Sequence, residues 1–250
     1  MKISKITCLL FSMLLLFFAH IQAQTYREFV ALVEIYQNTR GHGWTHTWDL
    51  TTPIAQWHGV TVKDGKVIAL DLSDNNLQGK IPLTIVNLRN LQQLDLSNNQ
   101  LKGKLPGELR KFDALERIDL SNNQLTGKIP KTINRLENLK QFDLTSNRLE
   151  GELPKTIIEL TKLNSLAIAD NRLQGEIPEG MEKLTKLQKL YIGNNGFTGL
   201  ENLKALSVQQ LVLTDVDVKA DRYNEINFLG TKKEGLSKLN FEDDNDDQED

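Results

Sequence analysis

At 250 residues the chain is long enough for one or two domains, and with 6 % aromatic residues it is built on Leu and Asn rather than on large rings. Thirty basic and 33 acidic side chains leave a net charge of −3, which neither selects nor excludes nucleic acid; the absence of a basic stripe interleaved with aromatics excludes it. One cysteine, Cys8, rules out a disulfide framework.

In chain order, Lys2 and Lys5 precede an apolar run from Ile6 to Ala19, and Ile21-Gln22-Ala23 offers a cleavage point. The run is shorter than the ~20 residues of a membrane span and suits the core of a signal peptide, so residues 1–23 are read as a leader rather than a permanent anchor. Cleavage would also remove Cys8. No later stretch is long and apolar enough to span a membrane, and the mature chain is expected to be without a transmembrane segment.

Residues 24–66 read as an N-terminal cap. Phe29, Val30, Leu32, Val33 and Tyr36 lie at helical spacing, Thr25 can cap the helix, and Gly41 and Gly43 end it. Trp44, Trp48 and Trp57 follow. They can stack on a ligand or plug an open core end, and their position favours the plug. Asp64-Gly65 predicts the turn of a hairpin.

From residue 67 to 200 a 24-residue period takes over. LDLSNNQLKGKLP (94–106) returns as IDLSNNQLTGKIP (118–130), and the strand anchors are Leu70, Leu94, Ile118, Phe142, Leu166 and Leu190. One register position is Asn in every unit: Asn75, Asn99, Asn123, Asn147, Asn171 and Asn195. A Gly follows four residues later in each, and five of the six units close on Pro. Period-two alternation in x-L-x-L-x gives a strand. A column of Asn can satisfy buried backbone groups in neighbouring coils. Apolar residues such as Leu105, Leu109, Phe112 and Leu115, spaced four, three and three, give a short helical or 3₁₀ turn. The period and consensus predict a leucine-rich-repeat solenoid. The expected class is an α/β solenoid: a right-handed superhelix with a concave parallel β-sheet and short helical or 3₁₀ turns on the convex side.

Residues 201–241 read as a degenerate repeat and C-terminal cap, with Val216 where the next Asn belongs. Residues 242–250 hold seven acids, a like-charge block expected to stay solvated. With two of the basic residues in 1–23, residues 24–241 retain a charge of about +2.

The L-x-G-x-I-P ending, with ALVEIYQ…W…WHGVTV…VIALDLSDNNLQGKIP before it, resembles the plant-type extracellular leucine-rich-repeat class of polygalacturonase-inhibiting proteins and receptor-kinase ectodomains. The resemblance covers roughly residues 26–200. Paired cap cysteines and an N-x-[ST] sequon are missing, and in this the chain looks like bacterial secreted relatives. The resemblance implies binding of protein or peptide partners on the concave sheet, without catalysis by the repeats.

Motifs for catalysis are absent: there is neither a Walker A loop nor a nucleophile elbow. His42 and His46, four apart near Asp49, lack the helix that would align them on a metal. No enzyme activity, metal or cofactor is therefore expected. Candidate partner-binding residues are the solvent-facing strand columns: Gln93, Arg117, Gln141 and Lys189 in one, Asp95, Asp119, Asp143, Ala167, Tyr191 and Val212 in the next. Asp71 heads the second. Carboxylates ~4.8 Å apart on adjacent strands repel by roughly 0.8 kcal/mol per pair in water-like dielectric. Either the stripe recruits a cationic partner or Ser73, Ser97 and Ser121 satisfy it locally; the local reading is favoured. Tyr191 between small and apolar neighbours resembles an interface hot spot; the other reading is a sheet edge half covered by the C-terminal cap. The expectation is a secreted or cell-envelope, monomeric binding module for a protein, peptide or glycan. A rigid cell-surface spacer and an inhibitor of a secreted hydrolase are the alternatives.

Overall fold

The computed structural model describes residues 26–203 and Leu206. Residues 1–23, read from sequence as a leader, most of the degenerate repeat and C-terminal cap read at 201–241, Val212 among them, and the acidic segment 242–250 lie outside the described residues.

A helix, α1 (residues 26–38), leads into the cap. Two strands form a hairpin, β1 (Val60–Lys63) and β2 (Lys66–Asp71). Its turn residues Asp64 and Gly65 have φ of 50° and 71°, the pair of left-handed residues a tight twisted hairpin requires. Each later coil contributes a long-range strand at L-x-L and a second short strand at the L-x-G segment. They run β3 (Gln78–Gly79), β4 (Gln93–Asp95), β5 (Gln100–Lys104), β6 (Arg117–Asp119) and β7 (Gln124–Gly127). They continue as β8 (Gln141–Asp143), β9 (Arg148–Gly151), β10 (Ser165–Ala167), β11 (Arg172–Glu176), β12 (Lys189–Tyr191) and β13 (Gly196–Thr198).

Two sheets result. The larger runs β1-β2-β4-β6-β8-β10-β12, parallel from β2 onward, with Leu70, Leu94, Ile118, Phe142, Leu166 and Leu190 in register. The second runs β3-β5-β7-β9-β11-β13, formed by L-x-G segments that carry no period-two alternation of their own. On the opposite side, 3₁₀ turns such as Leu83–Asn87, Gly107–Lys111, Lys131–Arg135 and Lys155–Glu159 close each coil just after Pro. Their buried residues meet the strand leucines in one continuous core, as expected where each coil can bury its apolar face only against its neighbours.

The Asn column joins the coils. The Asn123 Nδ2 donates to the Leu96, Leu120 and Ser121 carbonyls, and its Oδ1 accepts the Leu101 N–H at 2.9 Å. Asn99, Asn147, Asn171 and Asn195 repeat the arrangement. Asn75 carries it into the cap, where its Oδ1 accepts the His46 N–H at 2.6 Å. The residue before each ladder Asn is left-handed: Asp74, Asn98, Asn122, Ser146, Asp170 and Asn194 have φ between 51° and 55°. Asn and Asp tolerate that region best among residues with a side chain, which accounts for the N-N and D-N wording.

At the cap the tryptophans are buried, Trp44 5 %, Trp48 4 % and Trp57 3 % exposed. Trp48 stacks on Trp57 at 4.7 Å and meets Trp44 edge-on at 4.9 Å. Each indole N–H donates to a backbone carbonyl: Trp44 to Thr39, Trp48 to His58, Trp57 to Thr52. The rings close the core end, and their polar edges are already used.

Candidate ligand-binding face

Parallel pairing brings the predicted columns together. Gln93, Arg117, Gln141, Ser165 and Lys189 are register neighbours, as are Asp71, Asp95, Asp119, Asp143, Ala167 and Tyr191. Gln93, Arg117, Gln141 and Lys189 are exposed; the aspartates from Asp95 onward and Tyr191 are half-buried. Ala167 corrects the expectation of an exposed position: it is 4 % exposed, because its methyl group lies in register between the longer Asp143 and Tyr191 side chains.

The acidic column is satisfied from within. Oδ1 of Asp71, Asp95 and Asp119 accepts both the N–H (3.1 Å each) and the hydroxyl (2.7 Å each) of Ser73, Ser97 and Ser121. Asp143 accepts the Thr145 N–H at 2.9 Å. The outer Oδ2 atoms of Asp95 and Asp119 face the Arg117 guanidinium at 3.6 and 3.5 Å. Arg117, a departure from the repeated Gln, therefore fills the cationic role that a partner might have been needed for.

Asp143 is treated differently. Among the described residues it has no ion-pair partner within 4 Å, whereas its column neighbours Asp95 and Asp119 share Arg117. Burial pushes its carboxyl above the ordinary range, against the lowering effect of its hydrogen bonds to Thr145 and of Arg117. Burial raises Asp95 as well. A folded carboxyl that holds its proton more tightly than the unfolded one contributes stability below the unfolded value. That contribution is lost as pH rises through the raised value. Asp143→Asn should therefore be more stable than the native chain at pH 7. Relief of one ~0.8 kcal/mol repulsion corresponds to about 2–3 °C in Tm, and the gap should narrow as pH falls through the raised value and be closed below 3.8. Thermal melts of both chains from pH 3 to 7 check this; a gap that widens on acidification refutes it.

Where the aspartates stop, the sheet forms a concavity of about 580 Å³ spanning β6, β8, β10 and β12. Arg117, Asp119, Gln141, Asp143, Lys189 and Tyr191 line it, with Ala167 and Ala169 among its apolar residues. Sequence reading missed Asn122, Asn164, Asp170 and Gln188, which also line it. Asn164 and Gln188 each stand one residue before the first column, where strict alternation would turn them inward; Asn122 and Asp170 sit at the left-handed turn, which alternation does not describe. Val212, assigned to this face from sequence, lies outside the described residues. His46 and His58 stack at 4.3 Å at the cap, and among the described residues no group of three metal-ligating side chains converges.

Among the described residues no helix is long and apolar enough to cross a membrane. No curated protein matches the sequence. Among solved structures, the chain is similar to the PEPR1–AtPEP1 complex at 28 % identity, covering 76 % of this chain and 28 % of that one, with a TM-score of 0.68. The Arabidopsis receptor kinase HAESA ectodomain, in complex with an IDA peptide hormone ligand, is similar at 28 % identity over 78 % of this chain and 34 % of its own, TM-score 0.66. A plant ice-binding protein is similar at 25 % identity over 76 % and 63 %, TM-score 0.67. The chain thus spans only about a quarter to a third of the first two of these chains. Leucine-rich-repeat family profiles match residues 66–88, 90–112, 114–136 and 137–197, more than half of the chain, and with the two-sheet solenoid they define its membership: the protein belongs to the leucine-rich-repeat family.

Proposed function

We propose that the protein is a secreted, non-enzymatic recognition module that binds a peptide or protein segment in the concavity of the larger sheet. The observation that carries the reading is the juxtaposition of Asp143, a half-buried carboxylate with no ion-pair partner among the described residues, with Tyr191 two strands away across Ala167. An anionic anchor beside an amphipathic ring suits a basic side chain followed by an apolar one. Tyr is among the residues that dominate interface energetics. Gln93, Gln141, Lys189 and Arg117 supply the polar surround, and Val212 is assigned to the same column as Tyr191 from its sequence position alone. Similarity to a receptor-kinase ectodomain solved with a peptide hormone ligand supports the same use of the sheet, and the leader read at residues 1–23 supports export.

Selection from a random peptide library, counter-screened against variants, tests this. Selected peptides should carry a basic residue and lose tenfold or more in affinity, about 1.4 kcal/mol or above, on Asp143→Lys or Tyr191→Ala. Asp71→Asn, at the far end of the column, should leave affinity unchanged. Binders indifferent to Asp143 and Tyr191 would sink the proposal.

A further inference from the structure

The second sheet carries a charge pattern unrelated to the concave face. The segments of β3, β5 and β7, each with the residue that follows, hold Lys80, Lys102, Lys104 and Lys128 and no acid. The corresponding segments of β9, β11 and β13 hold two arginines against three glutamates. One half of this face is thus +4 and the other −1. All four lysines are exposed, and none is among the ion pairs of the described residues.

The lysines are also held in line. The aliphatic stem of Lys80 runs over Gly103, that of Lys104 over Gly127 and that of Lys128 over Gly151. A Cβ added at those glycines would lie 3.2, 3.0 and 3.0 Å from the respective Cγ atoms. The glycine in each coil therefore leaves the room in which the preceding coil's lysine lies. The outcome is a row of ammonium groups repeating at about the 4.8 Å strand spacing. Three aligned lysines, with Lys102 exposed on the same strand as Lys104 and none of the four in an ion pair of the described residues, call for an extended polyanion.

We infer that this lysine ladder is the docking surface for the chain's own acidic segment, residues 242–250. Charge complementarity singles that segment out: it holds seven acids and no base. Reach permits it. From β13 back to β5 is four strand steps, about 19 Å, while the 35 residues between Leu206 and Glu242 span up to about 115 Å when extended. Tethering supplies the affinity that a few exposed ion pairs lack. At an effective concentration of about 1 mM, an intrinsic Kd of about 0.1 mM leaves the ladder about 90 % covered. The contact lies off the concave sheet and is independent of the ligand-binding proposal.

Zero-length carbodiimide cross-linking of a mixture of ¹⁴N- and ¹⁵N-labelled protein, read by mass spectrometry, tests the inference. Links from residues 242–250 should concentrate on Lys80, Lys102, Lys104 and Lys128, join atoms of one isotope, and disappear in about 0.5 M NaCl, where the Debye length falls to about 4 Å. A variant with Asp243, Asp244, Asp246 and Asp247 changed to Asn leaves the described fold untouched. It should acylate those four lysines roughly tenfold faster, as expected from ~90 % coverage, with Lys155 and Lys186 unchanged. Links spread evenly over Lys155, Lys186 and the ladder overturn the inference. So do links only between differently labelled chains, or identical acylation rates.

Discussion

Asn123→Ala should destabilise the protein by about 2–4 kcal/mol, read from the denaturant midpoint at unchanged slope. The substitution removes the acceptor of the Leu101 N–H and the donor to the Leu96, Leu120 and Ser121 carbonyls. A buried backbone group left without its partner costs roughly 1–3 kcal/mol. The three carbonyls are partly insured: Leu96 also accepts from Asn99, Leu120 from Asn147, and Ser121 from the Asn98 N–H. That sharing makes the sharper test. The double variant Asn99→Ala with Asn123→Ala strips both side-chain donors from the Leu96 carbonyl, so its cost should exceed the sum of the singles by 0.5 kcal/mol or more. Asn123 paired with Asn195 shares no partner and should be additive. Equal coupling in the two pairs would refute an inter-coil ladder as the source of the effect.

The second large effect is expected at the cap. Trp48→Ala should cost about 3–5 kcal/mol, the range for truncating a buried aromatic. Trp48 is the hub of the cluster: it stacks on Trp57, meets Trp44 edge-on, and lies parallel to Tyr36 at 6.2 Å. Phe29→Ala should cost markedly less, because Phe29 is 36 % exposed and touches the cluster only by tilting against Trp57. Urea unfolding followed by tryptophan fluorescence separates the two variants. If Trp48→Ala leaves stability intact but abolishes peptide capture, the cluster is a ligand site and not a plug.

The repeat was legible because its constraints are local and recur every 24 residues. Leu94, Leu96, Asn99, Leu101 and Pro106 each do a job that the next coil repeats, so one line of sequence stands for the whole solenoid. Burial and hydrogen bonding place Asn99, Asn123 and Asn147 in the core, between coils. The aspartate column was legible as a feature and ambiguous as a function, since repulsion between Asp95, Asp119 and Asp143 is a property of stacked strands, while its remedy depends on where neighbouring atoms fall.

Those placements are what tertiary structure alone decided. Arg117 bridging Asp95 and Asp119, the serine hydroxyls on Oδ1, and the absence of an ion-pair partner for Asp143 among the described residues depend on distances of 2.7 to 3.6 Å that alternation cannot supply. Ala167 was assigned to an exposed column by its spacing and lies buried between two larger neighbours, because exposure depends on side-chain size across strands. The second sheet was not legible, since its L-x-G segments have no strand signature of their own; only the parallel neighbour one coil away completes their hydrogen bonds. A sequence with a fixed period writes each coil's own geometry. Contacts between coils, on which the lysine row over Gly103, Gly127 and Gly151 and the shared Asn partners depend, arise only when the coils are stacked.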